Sequence, residues 1–251
     1  MRINNYEQQP HDSSVAHVKT FQLNRVAFYG RTLFEYLKMF HLNDIKSLKA
    51  YKILDCPTGA SSFVAEASNR YGINAIGCDP VFDKDTKVLQ KLGEEDIDYV
   101  IEKVSNATKL YNWDFYTSLE DLRNYRRLAL EKFILDYDET RQRTRYIQAV
   151  LPTLPFGDGS FDLVLSGHFL FTYSHKFNFS FISSSIIELL RVSSKEVRIY
   201  PLQNSCSEPY ERMADLLSIL DQHGASCKIV PVKFEFQKGS NEMLLLRHKD
   251  R

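Results

Sequence analysis

Two spacings of apolar residues divide this chain. Short apolar runs close on turn residues and read as buried strands; longer stretches with apolar positions three and four apart read as helices. Residues 51–56 form a short apolar run closed by Pro57 and Gly59, which predicts a strand and a tight turn. Residues 61–71 predict a helix, with Ser61 or Ser62 as N-cap and Glu66 in its first turns. A second strand over 74–78 ends at Asp79. Residues 81–92 predict another helix, and 99–110 continue with mixed helical spacing. Strands follow over 146–151, 161–166 and 196–200, with helices over 178–192 and 208–223, the latter closed by Gly224. Residues 228–236 and 242–246 read as two strands joined by the link 237–241, an antiparallel hairpin. Alternating strands and helices predict a mostly parallel sheet covered on both faces, to which the hairpin adds one antiparallel strand.

Two segments fall outside this alternation. Residues 18–40 place Phe21, Phe28, Leu33, Leu37 and Phe40 at helical spacing, broken at Gly30. They predict two helices, or one with a break, over the ligand edge of the sheet or on its flank. Residues 113–145 predict an amphipathic helical insertion with Leu119, Leu122, Ala129, Phe133 and Tyr137 on its apolar face. The expected organisation is an N-terminal helical cap over 1–49 and an α/β domain over 50–251, with the insertion at about 111–145.

Composition sharpens the picture. With 251 residues and 43% hydrophobic content the chain can bury a substantial core in one domain. Its 32 basic and 32 acidic side chains cancel, so no net charge draws it to nucleic acid or anionic lipid. The insertion holds seven basic residues (Arg123, Arg126, Arg127, Lys132, Arg141, Arg143, Arg145) against seven acidic ones. That balance favours a solvated helix face with i,i+4 pairs over a nucleic-acid contact. The four cysteines form no Cys-x-x-Cys pair, so they read as reduced, buried thiols of a cytoplasmic protein. Residues 1–14 lack the apolar core of a signal peptide, and no apolar run reaches membrane-spanning length. A metal site is not expected from His168 and His175 without a nearby carboxylate pair.

The candidate chemistry gathers around the first strand. A strand leading through a glycine turn into a helix leaves backbone N–H groups free, which suits an anionic or polar ligand at the helix N-terminus. Asp79 lies twenty positions after Gly59, where an acid accepts hydrogen bonds from ribose hydroxyls; an N-cap role is its alternative. Arg31, beside the Gly30 break, either pairs with a ligand carboxylate or is a surface residue in a turn. Ser166, Gly167 and His168 follow the fourth strand, on the ligand side of such a sheet. His168 is therefore the candidate general base, with a structural role as the alternative. The aromatic run from Phe169 to Phe181 either lines an apolar substrate pocket or packs the core.

These motifs together resemble the class I S-adenosylmethionine (SAM)-dependent methyltransferases. Ile53-Leu54-Asp55 through Gly59 is similar to that family's glycine-rich first motif, and Gly77-Cys78-Asp79-Pro80 to its acidic second motif. Leu154-Pro155-Phe156 through Phe161-Asp162-Leu163-Val164 resembles its loop and fourth strand; Ile187 to Val192 resembles the helix before its fifth strand. Gly30-Arg31-Thr32, Asp55-Cys56-Pro57 and Ser166 to Phe171 further resemble a largely uncharacterised bacterial group. The resemblance covers roughly residues 50–247. It implies a Rossmann-like seven-stranded sheet, SAM as cofactor, and methyl transfer, with a small molecule as the expected acceptor.

By the same resemblance, Asp79 and Pro80 meet the nucleoside, and Gly59 approaches the methionine part. Asp55 orients the loop, meets the cofactor's ammonium through water, or is a structural acid. The chain departs from the family in two places. The glycine triplet appears as Pro57, Gly59 and Ser61, so one backbone donor is lost at Pro57, while Ser61 adds a hydroxyl. The acid often found after the third strand is Val150, which leaves adenine recognition to the backbone near Leu151. Ser166-Gly167-His168-Phe169 stands where amino-methylating DNA enzymes carry an Asp/Asn-Pro-Pro-Tyr motif, and the chain has no Pro-Cys dipeptide. Two alternatives stay open: a methyltransferase fold that binds a nucleoside or partner without catalysis, and an RNA or protein methyltransferase docking its substrate on the insertion. No feature of the pattern fixes an oligomeric state.

Overall fold

A computed structural model describes residues 23–140 and 145–249. The expected tail over 1–16, the start of the first helical segment, and Arg141 and Arg143 lie outside the described residues. The elements run in this order: α1 (Leu33–Met39), β1 (Lys52–Asp55), α2 (Phe63–Tyr71), β2 (Asn74–Asp79), α3 (Thr86–Ser105), α4 (Leu119–Thr140), β3 (Tyr146–Gln148), β4 (Phe161–Gly167), α5 (Phe179–Val192), β5 (Ser193–Tyr200), α6 (Met213–Gln222), β6 (Ala225–Pro231) and β7 (Glu242–His248).

The strands form one sheet in the order β3-β2-β1-β4-β5-β7-β6. β1 to β5 pair in parallel, and β7 runs antiparallel to both β5 and β6. This is the seven-stranded class I methyltransferase sheet that the motifs imply. Ile53, Leu54, Leu163, Val164, Leu165 and Val197 are fully buried along its centre, as expected for parallel strands covered on two faces. Strand order runs outward from β1 in one direction and from β4 in the other. Right-handed crossovers therefore place α2, α3 and α4 on one face and α5 on the other. The loop 154–158 is pinned from α5: Glu188 accepts from the Leu154 N–H at 2.6 Å, and Arg191 pairs with Asp158 at 2.6 Å. Two of the motifs singled out in the sequence thus touch.

Several elements differ from the expected ones. Among the described residues, the helix expected over 18–40 exists only as α1. Residues 23–32 form an irregular strap, because their backbone groups are claimed by other parts of the fold. The Asn24 N–H donates to the Tyr99 hydroxyl at 3.0 Å, Ala27 to the Tyr173 hydroxyl at 3.1 Å, and Phe28 to Asp96 at 2.6 Å. The expected helix over 81–92 starts at Thr86, since Asp79 to Asp85 make turns, and continues to Ser105 as a single helix. α6 starts at Met213 rather than 208, and β3 stops at Gln148. The terminal hairpin is joined by ten residues, not five. Beyond Pro231 the chain leaves the sheet so that Phe234 and Phe236 bury themselves against Tyr116 and Tyr111.

α4 packs against α3 and α2. Leu122, Ala129, Leu130, Phe133 and Tyr137 form its buried stripe, and Gly93 leaves room for Leu130, whose Cδ1 lies 2.5 Å from where a Cβ would stand. Its charges pair across elements rather than along the helix: Lys132 with Glu66 at 2.8 Å, Arg145 with Asp136 at 2.5 Å, and Arg123 with Asp98. Arg126 is the exception to a solvated face. It sits within the apolar stripe, 1% exposed, and pairs with the fully buried Glu35 of α1 at 2.5 Å. Its Nη1 donates to the Gly30 carbonyl at 2.7 Å, and Tyr116 donates to Glu35. Glu35 also accepts from the Thr32 N–H and hydroxyl, each at 2.8 Å.

Breaking this pair leaves a buried guanidinium uncompensated, so Glu35→Gln is expected to lower stability by about 3–5 kcal/mol in urea unfolding. Arg70→Ala removes an exposed partner from Glu66 and is expected to cost less than about 0.5 kcal/mol in the same measurement.

Candidate active site

A cavity of about 490 Å³ opens beyond the carboxyl ends of β1, β2 and β4, where the strand order reverses. Open α/β sheets bind ligands in that crevice, and small-molecule pockets span about 300–1,000 Å³. Its walls include the turn after β1 with the end of β2, the strap over 23–31, the end of β4 with the loop that follows, and one face of α3.

The first wall turns on Gly59. Its φ is +55°, a conformation open to glycine at little cost, and a Cβ there would lie 3.1 Å from the Tyr29 carbonyl oxygen. The Gly59 N–H donates to Oδ2 of Asp79 at 3.0 Å, and the Val81 N–H donates to Oδ1 at 3.2 Å. Burial pushes the Asp79 carboxyl up to about 6, against the opposing pull of these two backbone donors. Pro57, Thr58, Ser61, Pro80 and Val81 line the cavity beside it.

The anion-binding helix end expected here is not free. The Ser62 N–H donates to the Arg31 carbonyl at 3.0 Å, and the Phe63 N–H to the Ser61 hydroxyl at 3.2 Å. The Ser61 hydroxyl itself donates to the Arg31 carbonyl at 2.9 Å. The strap occupies the position that an anion would take, and the cost of losing a donor at Pro57 is moot for the same reason.

Gly30 makes that docking possible, since a Cβ on it would lie 1.9 Å from the Ala60 carbonyl oxygen. Its neighbour Arg31 lines the cavity, half-buried. The Arg31 Nε is buried without a hydrogen-bond partner, and among the described residues its guanidinium forms no ion pair. Burial and the nearby Arg126 lower its pKa.

His168 stands at the end of β4 with φ +51°, a strained backbone for a residue with a side chain. Its N–H donates to the Tyr200 carbonyl at 2.6 Å, while its Nε2 is buried without a partner. Burial, then Arg31 and Arg126, hold its pKa well below the ordinary value. Both effects favour the neutral imidazole, whose Nε2 has no hydrogen-bond partner among the described residues. His175 is elsewhere employed, its ring nitrogen meeting the Leu23 carbonyl at 3.1 Å. Phe169 and Tyr173 line the cavity, while Phe177 and Phe181 pack against each other in the core.

The cavity therefore gathers Arg31, Pro57, Gly59, Ser61, Asp79, Pro80 and His168. It does not gather Asp55 or Leu151. Asp55 is fully buried one layer behind, accepting from the Tyr36 hydroxyl at 3.1 Å on each oxygen. Burial raises its pKa well above the carboxylate range, the Tyr36 hydrogen bond opposes this, and Asp79 adds to it. Tyr36, not Asp55, reaches the cavity. Leu151 is buried in the turn after β3, and Val81, Lys84 and Val88 form the wall next to Asp79 instead.

Sequence reasoning missed Tyr36, Arg126, Asp96, Thr172 and Ser205. Arg126 had a signal: it falls on the helical stripe shared by Leu122, Ala129 and Phe133. The others carried none.

No protein-family model matches the chain. It is 32% identical over 231 residues to the uncharacterised protein MJ0045 of the archaeon Methanocaldococcus jannaschii, across 92% of this chain and 100% of that one. The chain belongs to the MJ0045 family.

The chain is also similar, at much lower identity, to several solved structures. The methyltransferase domain of bacterial CtHen1 is 12% identical, covering 86% of this chain and 99% of that one, with a TM-score of 0.48. A putative SAM-dependent methyltransferase from Methanococcus maripaludis is 10% identical, over 87% and 88% of the two chains, with a TM-score of 0.46. The magnesium protoporphyrin IX methyltransferase of Synechocystis PCC 6803 with bound SAM is 13% identical, over 92% and 88%, with a TM-score of 0.43.

The charge state of His168 is directly measurable. At pH 6.5, where an exposed imidazole is about half protonated, its NMR resonances are expected to report the neutral form. Arg31→Gln removes one of the two cations that lower its pKa and is expected to move its titration upward.

Proposed function

We propose that the chain is a SAM-dependent methyltransferase acting on a small-molecule acceptor. The observation that carries this reading is the presence, in one cavity on the sheet's ligand edge, of a buried acid and a guanidinium without a counter-ion among the described residues. Asp79 ends β2 where a ribose would present its hydroxyls. Arg31 supplies the cation that a methionine carboxylate requires. Gly59 and Ser61 lie between them along the turn, and Pro80 and Val81 give an apolar floor for the base. Tyr36 offers its hydroxyl to the ammonium group, held in orientation by Asp55 behind it.

When bound, SAM supplies a methyl group on a sulfonium, activated for displacement. The protein's part is to hold the acceptor in line and to manage its proton. His168 is the residue we assign to the proton: it is neutral, its Nε2 is unoccupied, and it stands at the cavity edge of β4. The side chains that close the cavity from the strap, Phe28 and Tyr29, exclude water from the reacting atoms. Among the described residues no helix is long and apolar enough to cross a membrane, and we read the protein as cytoplasmic.

Calorimetric titration with SAM and S-adenosylhomocysteine tests this function. Micromolar binding to the wild type and a loss of at least about tenfold in Asp79→Ala are expected, the value of one charge-assisted hydrogen-bonding group. Failure of both ligands to bind the wild type contradicts the reading. Ribose hydroxyls donate to the carboxylate, so they favour its charged form and depress its pKa in the complex. Affinity is therefore full above about pH 6, where free Asp79 is ionised, and falls as pH drops through that value. Asp79→Asn is expected to flatten this dependence.

A further inference from the structure

The methyl-transfer reading leaves a group of cavity residues unused, and their chemistry narrows the acceptor. Thr172 Oγ1 and Ser205 Oγ are buried without hydrogen-bond partners, as is Nε2 of His168. All three residues line the same cavity. The Ser205 N–H donates to the Thr172 carbonyl at 3.2 Å, which sets the two hydroxyl-bearing residues side by side. Buried polar atoms are rarely left without partners, and among the described residues these two hydroxyls and the imidazole are unpartnered groups that a polar group of a ligand in this cavity can satisfy. The surrounding walls are apolar and aromatic: Tyr111, Phe169, Tyr173 and Phe236.

The charges decide what that group is. Among the described residues two carboxylates line the cavity, Asp79 and Asp96. Asp79 takes the Gly59 and Val81 N–H groups, and Asp96 takes Arg25 and the Phe28 N–H. In the methyl-transfer reading Asp79 also takes the ribose hydroxyls and Asp96 is held by Arg25, so neither serves a cationic acceptor. The cations are Arg25 with Asp96, Lys84 with Asp83, Arg126 with Glu35, and Arg31, which has no ion pair among the described residues and which the methyl-transfer reading gives to the methionine carboxylate. Arg31 and Arg126 are close enough to lower the pKa of His168. A protonated amine entering this region meets guanidinium groups and no free carboxylate. A neutral amine becomes cationic when it is methylated, which the same groups oppose. An acidic hydroxyl is favoured for the opposite reason: its oxyanion faces no unpaired carboxylate among the described residues and would be drawn to the sulfonium of bound SAM.

We propose that the acceptor is an apolar small molecule bearing an acidic hydroxyl, a phenol or an enol, seated against Thr172, Ser205 and His168 and methylated on oxygen. This rests on the methyl-transfer reading above. The hydroxyl proton passes by way of Nε2 of His168 to solvent, since burial and the nearby guanidinium groups disfavour a lasting imidazolium. The oxygen lone pair then forms the O–C bond while the sulfur–methyl bond breaks, its electron pair remaining on sulfur as the thioether of S-adenosylhomocysteine.

The test uses 4-nitrophenol, whose phenolate absorbs where the phenol does not. The protein is first saturated with sinefungin, a cationic analogue of SAM that transfers no methyl group. The expected result is saturable binding of 4-nitrophenol with its pKa lowered by about one unit or more relative to the free probe. Benzylamine is expected not to displace it. Ser205→Ala and Thr172→Val are expected to weaken the probe severalfold at unchanged sinefungin affinity. An unshifted or raised pKa overturns the proposal, as does displacement by benzylamine, or no probe binding to sinefungin-loaded protein. Failure of sinefungin itself to bind is a separate outcome, and overturns the methyl-transfer reading on which the proposal rests.

Discussion

The docking of the strap onto the turn after β1 is the contact on which the site depends. The Arg31 carbonyl accepts from the Ser62 N–H and the Ser61 hydroxyl, so the strap caps α2 with backbone rather than leaving its N-terminus to a ligand. Gly30 permits an approach that no side chain tolerates. Arg126 then fixes the Gly30 carbonyl from α4, and Glu35 fixes Arg126 from α1. From Thr32 through Glu35 and Tyr116 to Arg126 the buried polar groups pair with one another, Arg126 Nε excepted, and such pairing is the condition for charge in a core. Its product is a half-buried guanidinium, Arg31, held over the cavity without a counter-ion among the described residues.

Burial sets the electrostatics of the site in two directions. It raises Asp79 toward neutrality and pushes His168 away from its charged form. A buried acid waiting for hydroxyl donors, and a neutral imidazole with one free nitrogen, are complementary to a nucleoside and to an acceptor proton respectively. The positive backbone φ at His168 belongs to the same account. Strain at the end of a central strand persists only where surrounding structure enforces it, and here the N–H bond to Tyr200 does so.

Much of this was legible in the sequence, for reasons of period and chemistry. β1, β2, β4 and α5 are long or strongly bounded, and their patterns leave few alternatives. Gly59 and Asp79 were legible because a turn and an acid at that spacing have few other uses. The strap was not. Phe28 and Leu33 sit at helical spacing by coincidence of tertiary demand: Phe28 packs on Phe133 while its N–H goes to Asp96. Phe234 and Phe236 looked like the end of a strand, and leave the sheet to meet the aromatic cluster around Tyr116. Leu151 and Asp55 were placed by analogy of order along the chain, and order does not say which side of a turn faces the cavity. Arg126 was counted among surface charges, although its place on the apolar stripe of α4 marked it as buried.

The most direct measurement is a crystal structure of the protein with S-adenosylhomocysteine. The account predicts the ribose hydroxyls on the Asp79 carboxylate and the amino-acid carboxylate on Arg31, with the strap still docked on Ser61 and Ser62 and His168 facing the sulfur side of the ligand. A ligand bound elsewhere, or one whose ribose and carboxylate contact neither Asp79 nor Arg31, would contradict it.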